Sequence, residues 1–187
     1  GHLVATVGGA SGGGKYFNLD KADLVVHDLA TGTRRRLTRK NAPEENAGKA
    51  IWSPDGNRIA YAWMIDPNAT ELRTVGVDGS DMTTIFRDPD VPDLRPEAWS
   101  ADGRHVLTVL HRRDRSVQLA LVPVAGGAPR VLDRLGAYWP ATAGYSPDQR
   151  WVAYSAKSER DRGDQDIFGR LLDGEGKHTL VDHPAED

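Results

Sequence analysis

A five-residue motif returns along the chain at a spacing of about 47 residues: Trp52-Ser53-Pro54-Asp55-Gly56, Trp99-Ser100-Ala101-Asp102-Gly103 and Tyr145-Ser146-Pro147-Asp148-Gln149. A repeat of this period can only stack copies of one supersecondary unit. Each copy precedes an alternating apolar run: Ile59 to Trp63, Val106 to Leu110 and Val152 to Ala156. Pro suits the second position of a type I turn, Ser and Asp bond back to nearby amides, and Gly accepts the positive φ that closes such hairpins. The unit therefore reads as strand, turn, strand.

A second series interleaves with the first. Gly32, Gly79, Gly126 and Gly174 recur at the same period, each between a strand and a short outer strand carrying Leu37, Ile85, Leu132 or Leu180. Third strands are expected at Glu71 to Val77, Val117 to Val124 and Asp166 to Leu172, and inner strands at Lys49 to Trp52, Pro96 to Trp99 and Ala141 to Tyr145. No helix is expected, because Pro and Gly interrupt the chain too often for a helical apolar stripe. Four short antiparallel strands per unit make a propeller blade. The expected fold is all-β, a β-propeller of about four four-stranded blades over residues 1–47, 48–94, 95–139 and 140–187. The first lacks its innermost strand, since Leu3 to Val7 matches the strand after the turn motif. Gln149 stands where the other copies have Gly56 and Gly103, so it is expected to carry a positive φ, and Gln149→Gly to stabilise.

The pattern Trp-Ser-Pro-Asp-Gly-x-x-Ile-Ala-Tyr, together with Asp23-Leu24-Val25-Val26-His27-Asp28-Leu29-Ala30-Thr31-Gly32-Thr33 and the following Leu37-Thr38, resembles the WD40-like PD40 repeats of TolB-type β-propellers. The resemblance covers essentially the whole chain. It implies a segment of a six- to eight-bladed ring and a surface for partner proteins of the bacterial envelope, hence a periplasmic or extracytoplasmic location. The same motif occurs in propellers that gate serine peptidases of the prolyl oligopeptidase type. Two functions are thus carried forward: a non-enzymatic module that binds a protein or peptide, and a substrate-gating propeller segment of such a peptidase. Sequence beyond Asp187 would separate them, since an α/β-hydrolase domain marks the peptidase.

Composition narrows the classes. A net charge of −3 gives no attraction to nucleic acid, and the one basic run, Arg34-Arg35-Arg36, reads as solvated charge on a strand edge. With no cysteine, disulfides, thiolate metal sites and cysteine nucleophiles are excluded. No apolar run approaches the roughly 18 residues of a membrane span, so no membrane insertion is expected. The leading Gly without Met reads as a processed or truncated product. Blades cut from a larger ring would expose two end faces, and self-association through the terminal blades is the expected consequence.

Candidate chemistry is sparse. Gly9-Ala10-Ser11-Gly12-Gly13 matches G-x-S-x-G, but a nucleophile elbow needs a helix after the Ser, and Lys15 to Asn18 leads into a strand. The stretch Gly9 to Lys15 also mimics a phosphate loop, with Tyr16 where a Ser or Thr should be. A long blade loop is the better reading, and no catalytic residue and no cofactor are expected. Asp161, Asp164 and Asp166 share a loop with Arg160 and Arg162. They could hold calcium, though their spacing is not that of an EF-hand and a self-paired surface turn is favoured. The six histidines fall in different blades without ligand spacing, so structural or surface roles are expected. Trp52, Trp99 and Tyr145 read as a repeated packing residue. Tyr138 and Trp139, on the approach to an inner strand, are placed at the channel mouth, and with Asp161 and Asp164 they form the expected partner surface.

Overall fold

Each motif-to-motif period folds into one antiparallel meander. The structure is a computed structural model that describes residues 3–8, 22–137, 142–157, 165–174 and 176–181. Its first sheet joins β1 (Leu3–Gly8), β2 (Asp23–Asp28) and β3 (Arg34–Arg36). The second joins β4 (Asn46–Trp52), β5 (Arg58–Asp66), β6 (Ala69–Gly76) and β7 (Thr83–Phe86). The third comprises β8 (Asp93–Trp99), β9 (His105–His111), β10 (Ser116–Pro123) and β11 (Arg130–Ala137). The fourth comprises β12 (Ala143–Tyr145), β13 (Trp151–Lys157), β14 (Gln165–Leu171) and β15 (Lys177–Val181). Strands pair in chain order within each sheet, and the first sheet has three strands where the others have four. No helix occurs among the described residues.

Alternation along the strands sends apolar side chains to both faces, and in the second and third sheets each face meets a neighbouring sheet. Ile59, Tyr61 and Trp63 of β5 pack with Leu24, Val26 and Leu37 of the first sheet. From the other face, Ala60 and Ala62 pack with Leu94, Val106 and Leu110 of the third. Leu107 and Val109 then meet Val152, Tyr154 and Ala156 of the fourth. Three apolar interfaces thus join four sheets in chain order. Trp52, Trp99 and Tyr145 sit in successive interfaces, each toward the preceding sheet, and the Trp99 indole N–H donates to the Ile51 carbonyl at 3.3 Å. They are packing residues, as their period predicts.

The turn motif is held by one hydroxyl. Ser53 is buried, so its polar atoms need partners. Its Oγ accepts the Arg58 N–H at 2.9 Å and donates to Asp55 Oδ1 at 2.6 Å, while Asp55 Oδ1 also accepts the Asn57 N–H at 3.1 Å. The Gly56 N–H closes the turn on the Ser53 carbonyl at 2.9 Å. Ser100 with Asp102 and Ser146 with Asp148 repeat the arrangement, with hydroxyl-to-carboxylate distances of 2.6 and 2.5 Å. The serine hydroxyl first, and then a backbone N–H, hold the carboxyls of Asp55, Asp102 and Asp148 below their ordinary value.

The residue ending this turn lies in the left-handed region in all three copies, with φ of 71° at Gly56, 69° at Gly103 and 57° at Gln149. The positive φ expected of Gln149 is present. Sequence gave no hint of its side chain's use: Oε1 accepts the Ala101 N–H of the third sheet at 2.9 Å, tying two blades together. The other glycine series departs in its fourth copy. Gly32, Gly79 and Gly126 have positive φ, but at the last turn it is Gly176, not Gly174, that does.

The four outer-strand leucine and isoleucine positions diverge in burial. Leu37, Ile85 and Leu132 are each covered by the following sheet, whereas Leu180 is 56% exposed. It lies over Gly169, where a Cβ would come within 3.1 Å of it, on the same face as Ile167, which is also exposed. Among the described residues nothing packs on that face of the fourth sheet as the fourth packs on the third.

Three predictions follow from these packing and turn contacts. Leu132→Ala should lower the unfolding free energy by about 2–4 kcal/mol, whereas Leu180→Ala should cost less than about 1 kcal/mol; chemical denaturation measures both, and equal costs would show the fourth sheet's face to be covered. Gln149→Gly relieves about 1 kcal/mol of backbone strain and loses a cross-blade hydrogen bond worth about the same, so it should be near neutral, while Gln149→Ala should be clearly destabilising. The turn carboxyls titrate lower in the folded chain than their ordinary 3.8. Their stabilisation is therefore complete above that value and lost as pH falls through the lower folded values. Melting temperature should drop below about pH 4, and the Asp55→Asn, Asp102→Asn, Asp148→Asn triple variant should start lower at neutral pH and show a flatter acid limb.

Candidate functional site

Antiparallel pairing decides which loops share an end of the sheets. The Ser-x-Asp turns join β4 to β5, β8 to β9 and β12 to β13 at one end. The β5–β6 turn, the β7-to-β8 linker and the β9–β10 turn all lie at the other. Between the second and third sheets, these three segments enclose a cleft of about 420 Å³.

The cleft's walls are fixed by one arginine. Arg113, in the β9–β10 turn, donates from Nε to the Pro89 carbonyl at 2.7 Å and from Nη2 to the Asn68 carbonyl at 3.3 Å, and its N–H reaches the Asp90 carbonyl at 2.9 Å. It thereby pins a turn of the third sheet to the linker and to the second sheet's hairpin. Thr70 of β6 adds a bond from its hydroxyl to the Pro92 carbonyl at 2.9 Å. Arg112 stands 3.6 Å from both Asp88 and Asp90, which neutralise it. Asp114 accepts both the N–H and the hydroxyl of Ser116, at 2.9 and 2.6 Å, which holds its carboxyl below the ordinary range and closes the turn.

Arg115 ends that turn with φ of 68°, the position where the repeated hairpins use glycine. A non-glycine residue there costs about 1 kcal/mol, and such strain persists where the surroundings over-determine it. Arg115 lines the cleft, as does Arg95 of the inner strand β8. Among the described residues neither has a carboxylate within ion-pair distance.

The floor carries His111 and Asp93, paired across β8 and β9 with Nε2 and Oδ2 4.0 Å apart. Burial lowers the His111 pKa most, Asp93 opposes this, and the Arg95 cation lowers it further, so the imidazole is neutral at neutral pH. Its Nε2 is buried and has no hydrogen-bond partner.

Two other polar groups are saturated. Glu97 of β8, almost wholly buried, takes the Lys49 ammonium of β4 at 2.6 Å and the Ala143 N–H of β12 at 3.4 Å, linking three inner strands. Glu71 of β6 takes Arg73 at 2.6 Å, Thr84 at 3.0 Å and Arg87 at 3.3 Å, and Arg73 lies 5.1 Å from the centroid of the Trp63 ring. Burial pushes the neighbouring Tyr61 hydroxyl up to about 12. These groups hold blades together.

The sequence-predicted partner residues Tyr138, Trp139, Asp161 and Asp164 lie outside the described residues, as do Ser11 and the phosphate-loop look-alike Gly9 to Lys15. Asp166 is buried in β14. Among the described residues no three His, Asp or Glu side chains gather into a metal-sized group. Of the described histidines, His105 and His111 lie at the two ends of β9, and His27 and His178 lie on β2 and β15, where His178 packs edge-on to Trp151 at 5.5 Å. What sequence reasoning missed is the cleft, because Arg95 lies on β8 and Arg115 in the β9–β10 turn, and the two come to one cleft only through sheet pairing; the one available hint was an arginine, not a glycine, at the end of a tight turn.

No family model and no curated protein matches the chain. Solved structures do. The chain is similar to TolB from Acinetobacter baumannii, with a TM-score of 0.70 and 17% identity over 96% of this chain and 41% of that one. It is similar to a putative TolB from Agrobacterium tumefaciens, with a TM-score of 0.71 and 19% identity over 97% of this chain and 61% of that one. It is also similar to the propeller domain of the Trilobed protease from Pyrococcus furiosus, with a TM-score of 0.64 and 16% identity over 97% of this chain and 54% of that one. The chain thus spans between about two fifths and three fifths of these proteins' lengths. Identities this low carry the fold alone, and with four meandering sheets packed face to face in chain order, that fold is a β-propeller.

Proposed function

We propose that this propeller is a non-enzymatic binding module that takes a protein or peptide partner at the end of the blades opposite the Ser-x-Asp turns. The observation that carries the reading is the cleft between the second and third sheets, whose walls come from three loops and are locked by Arg113. Rigid sheets with variable loops are a common way to build such a face, and a cleft of this size takes a few residues of extended chain. The TolB likeness supports a protein partner and an extracytoplasmic location. Self-association through the exposed face of the fourth sheet belongs to the same proposal, and sedimentation tests it.

The likeness to the propeller of a protease supports a second reading, a gate that admits peptides to a catalytic domain. In both readings the cleft receives a chain and cuts none.

A selection of displayed peptides against the chain tests the module. Enriched sequences are expected to bind the wild type and to lose at least about tenfold in affinity with Asn68→Trp, which fills the cleft mouth from an exposed position. Absence of enrichment, or binding indifferent to Asn68→Trp, would overturn the assignment of the site. Cleavage of the selected peptides by the chain itself would overturn its non-enzymatic character.

A further inference from the structure

We infer that the cleft selects acidic peptide segments, with Arg95 and Arg115 receiving their carboxylates; this rests on the peptide-binding reading above. Three guanidinium groups line the cleft. Arg112 is already balanced by Asp88 and Asp90, each 3.6 Å away. The remaining two, Arg95 on the inner strand and Arg115 on the turn, have no carboxylate partner among the described residues. Among the described residues the opposing charges are Asp93, which lies against His111, and the second of the two carboxylates that face Arg112.

His111 adds no compensating change, because it is neutral and its Nε2 is closed off from solvent. The cleft therefore presents two uncommitted planar cations with apolar surface from Pro67, Pro92 and Val117 beside them. Guanidinium forks match carboxylates in geometry, and two of them on one cleft can hold an acidic segment at two points.

Two further observations favour a ligand over an incidental surface charge. Arg115 occupies a left-handed position at which the hairpins of this chain otherwise use Gly56 or Gly103. Gln149, the other exception at that position, uses its side chain to bond a neighbouring blade. Among the described residues the Arg115 side chain makes no such bond. The segment that carries it is also held on three backbone carbonyls by Arg113, so the guanidinium is presented on a fixed base.

Fluorescence anisotropy with two labelled nonapeptides, one alternating Glu and Ala and the other Gln and Ala, tests the inference. The Glu peptide is expected to bind at least about tenfold more tightly than the Gln peptide, with affinity falling as salt rises. Arg115→Gly removes the charge while giving the turn its preferred residue, so it should abolish the difference in a chain that melts no lower than wild type. Arg95→Gln should weaken Glu-peptide binding by about tenfold, and Arg104→Gln, at the opposite end of the blades, should change nothing. Equal affinity for the two peptides, lost in Asn68→Trp, would overturn the charge preference and leave the peptide module standing. Binding of the Glu peptide unaltered by Arg115→Gly and Arg95→Gln would overturn the assignment of these residues. If neither peptide binds, the inference fails, and the peptide selection separately decides the module.

Discussion

Everything in this molecule depends on sheets that bury both faces against their neighbours. A strand with apolar residues on alternate sides is stable only when something covers each side. The second and third sheets meet that requirement fully, with Ile59, Tyr61 and Trp63 on one side of β5 and Ala60 and Ala62 on the other, all within apolar clusters. The residue sizes are complementary: large side chains face the first sheet and alanines face the third, which lets β8 and β9 approach closely with Leu94 and Val106. The same rule explains why equivalent residues differ. Leu132 is buried because the fourth sheet lies over it, and Leu180 is exposed because no described sheet does so at its own position.

The two ends of the blades do different work. At one end, the Ser-x-Asp turns are near-identical hydrogen-bond units in which one hydroxyl meets a backbone N–H, a backbone carbonyl and a carboxylate. At the other end the connections differ in length and composition from blade to blade, and they add bonds across blades to those within themselves. Arg113 shows the difference: its three bonds all reach segments of the second sheet or its linker. Rigidity at one end and variation at the other is how a repeat fold acquires a distinct site at one inter-blade position.

Polar groups in the interior divide by whether they are satisfied. Glu71 and Glu97 are buried yet surrounded by donors, so their desolvation is offset and they act as registers between strands and blades. Arg95 and Arg115 are the converse, exposed cations that have no carboxylate partner among the described residues. That contrast, more than the cleft's volume, distinguishes the site from the remaining loop surface.

Much of this fold was legible in the chain. Two interleaved series of period about 47 dictated strand number, order and turn position, because a hairpin needs its turn residues at fixed offsets and a buried strand needs alternation. Even the left-handed backbone of Gln149 followed from its place in the series. The expected partner residues Tyr138, Trp139, Asp161 and Asp164 fall outside the described residues. What tertiary structure alone decided is which residues from separate periods come together: Gln149 with Ala101, Glu97 with Lys49 and Ala143, Arg113 with Pro89 and Asn68. Local sequence specifies φ, hydrogen-bond turns and the in-or-out phase of a strand, all of which involve neighbours a few residues apart. The approach of one blade to the next is set by packing of whole faces, and a site that exists only between blades has no signature within either one.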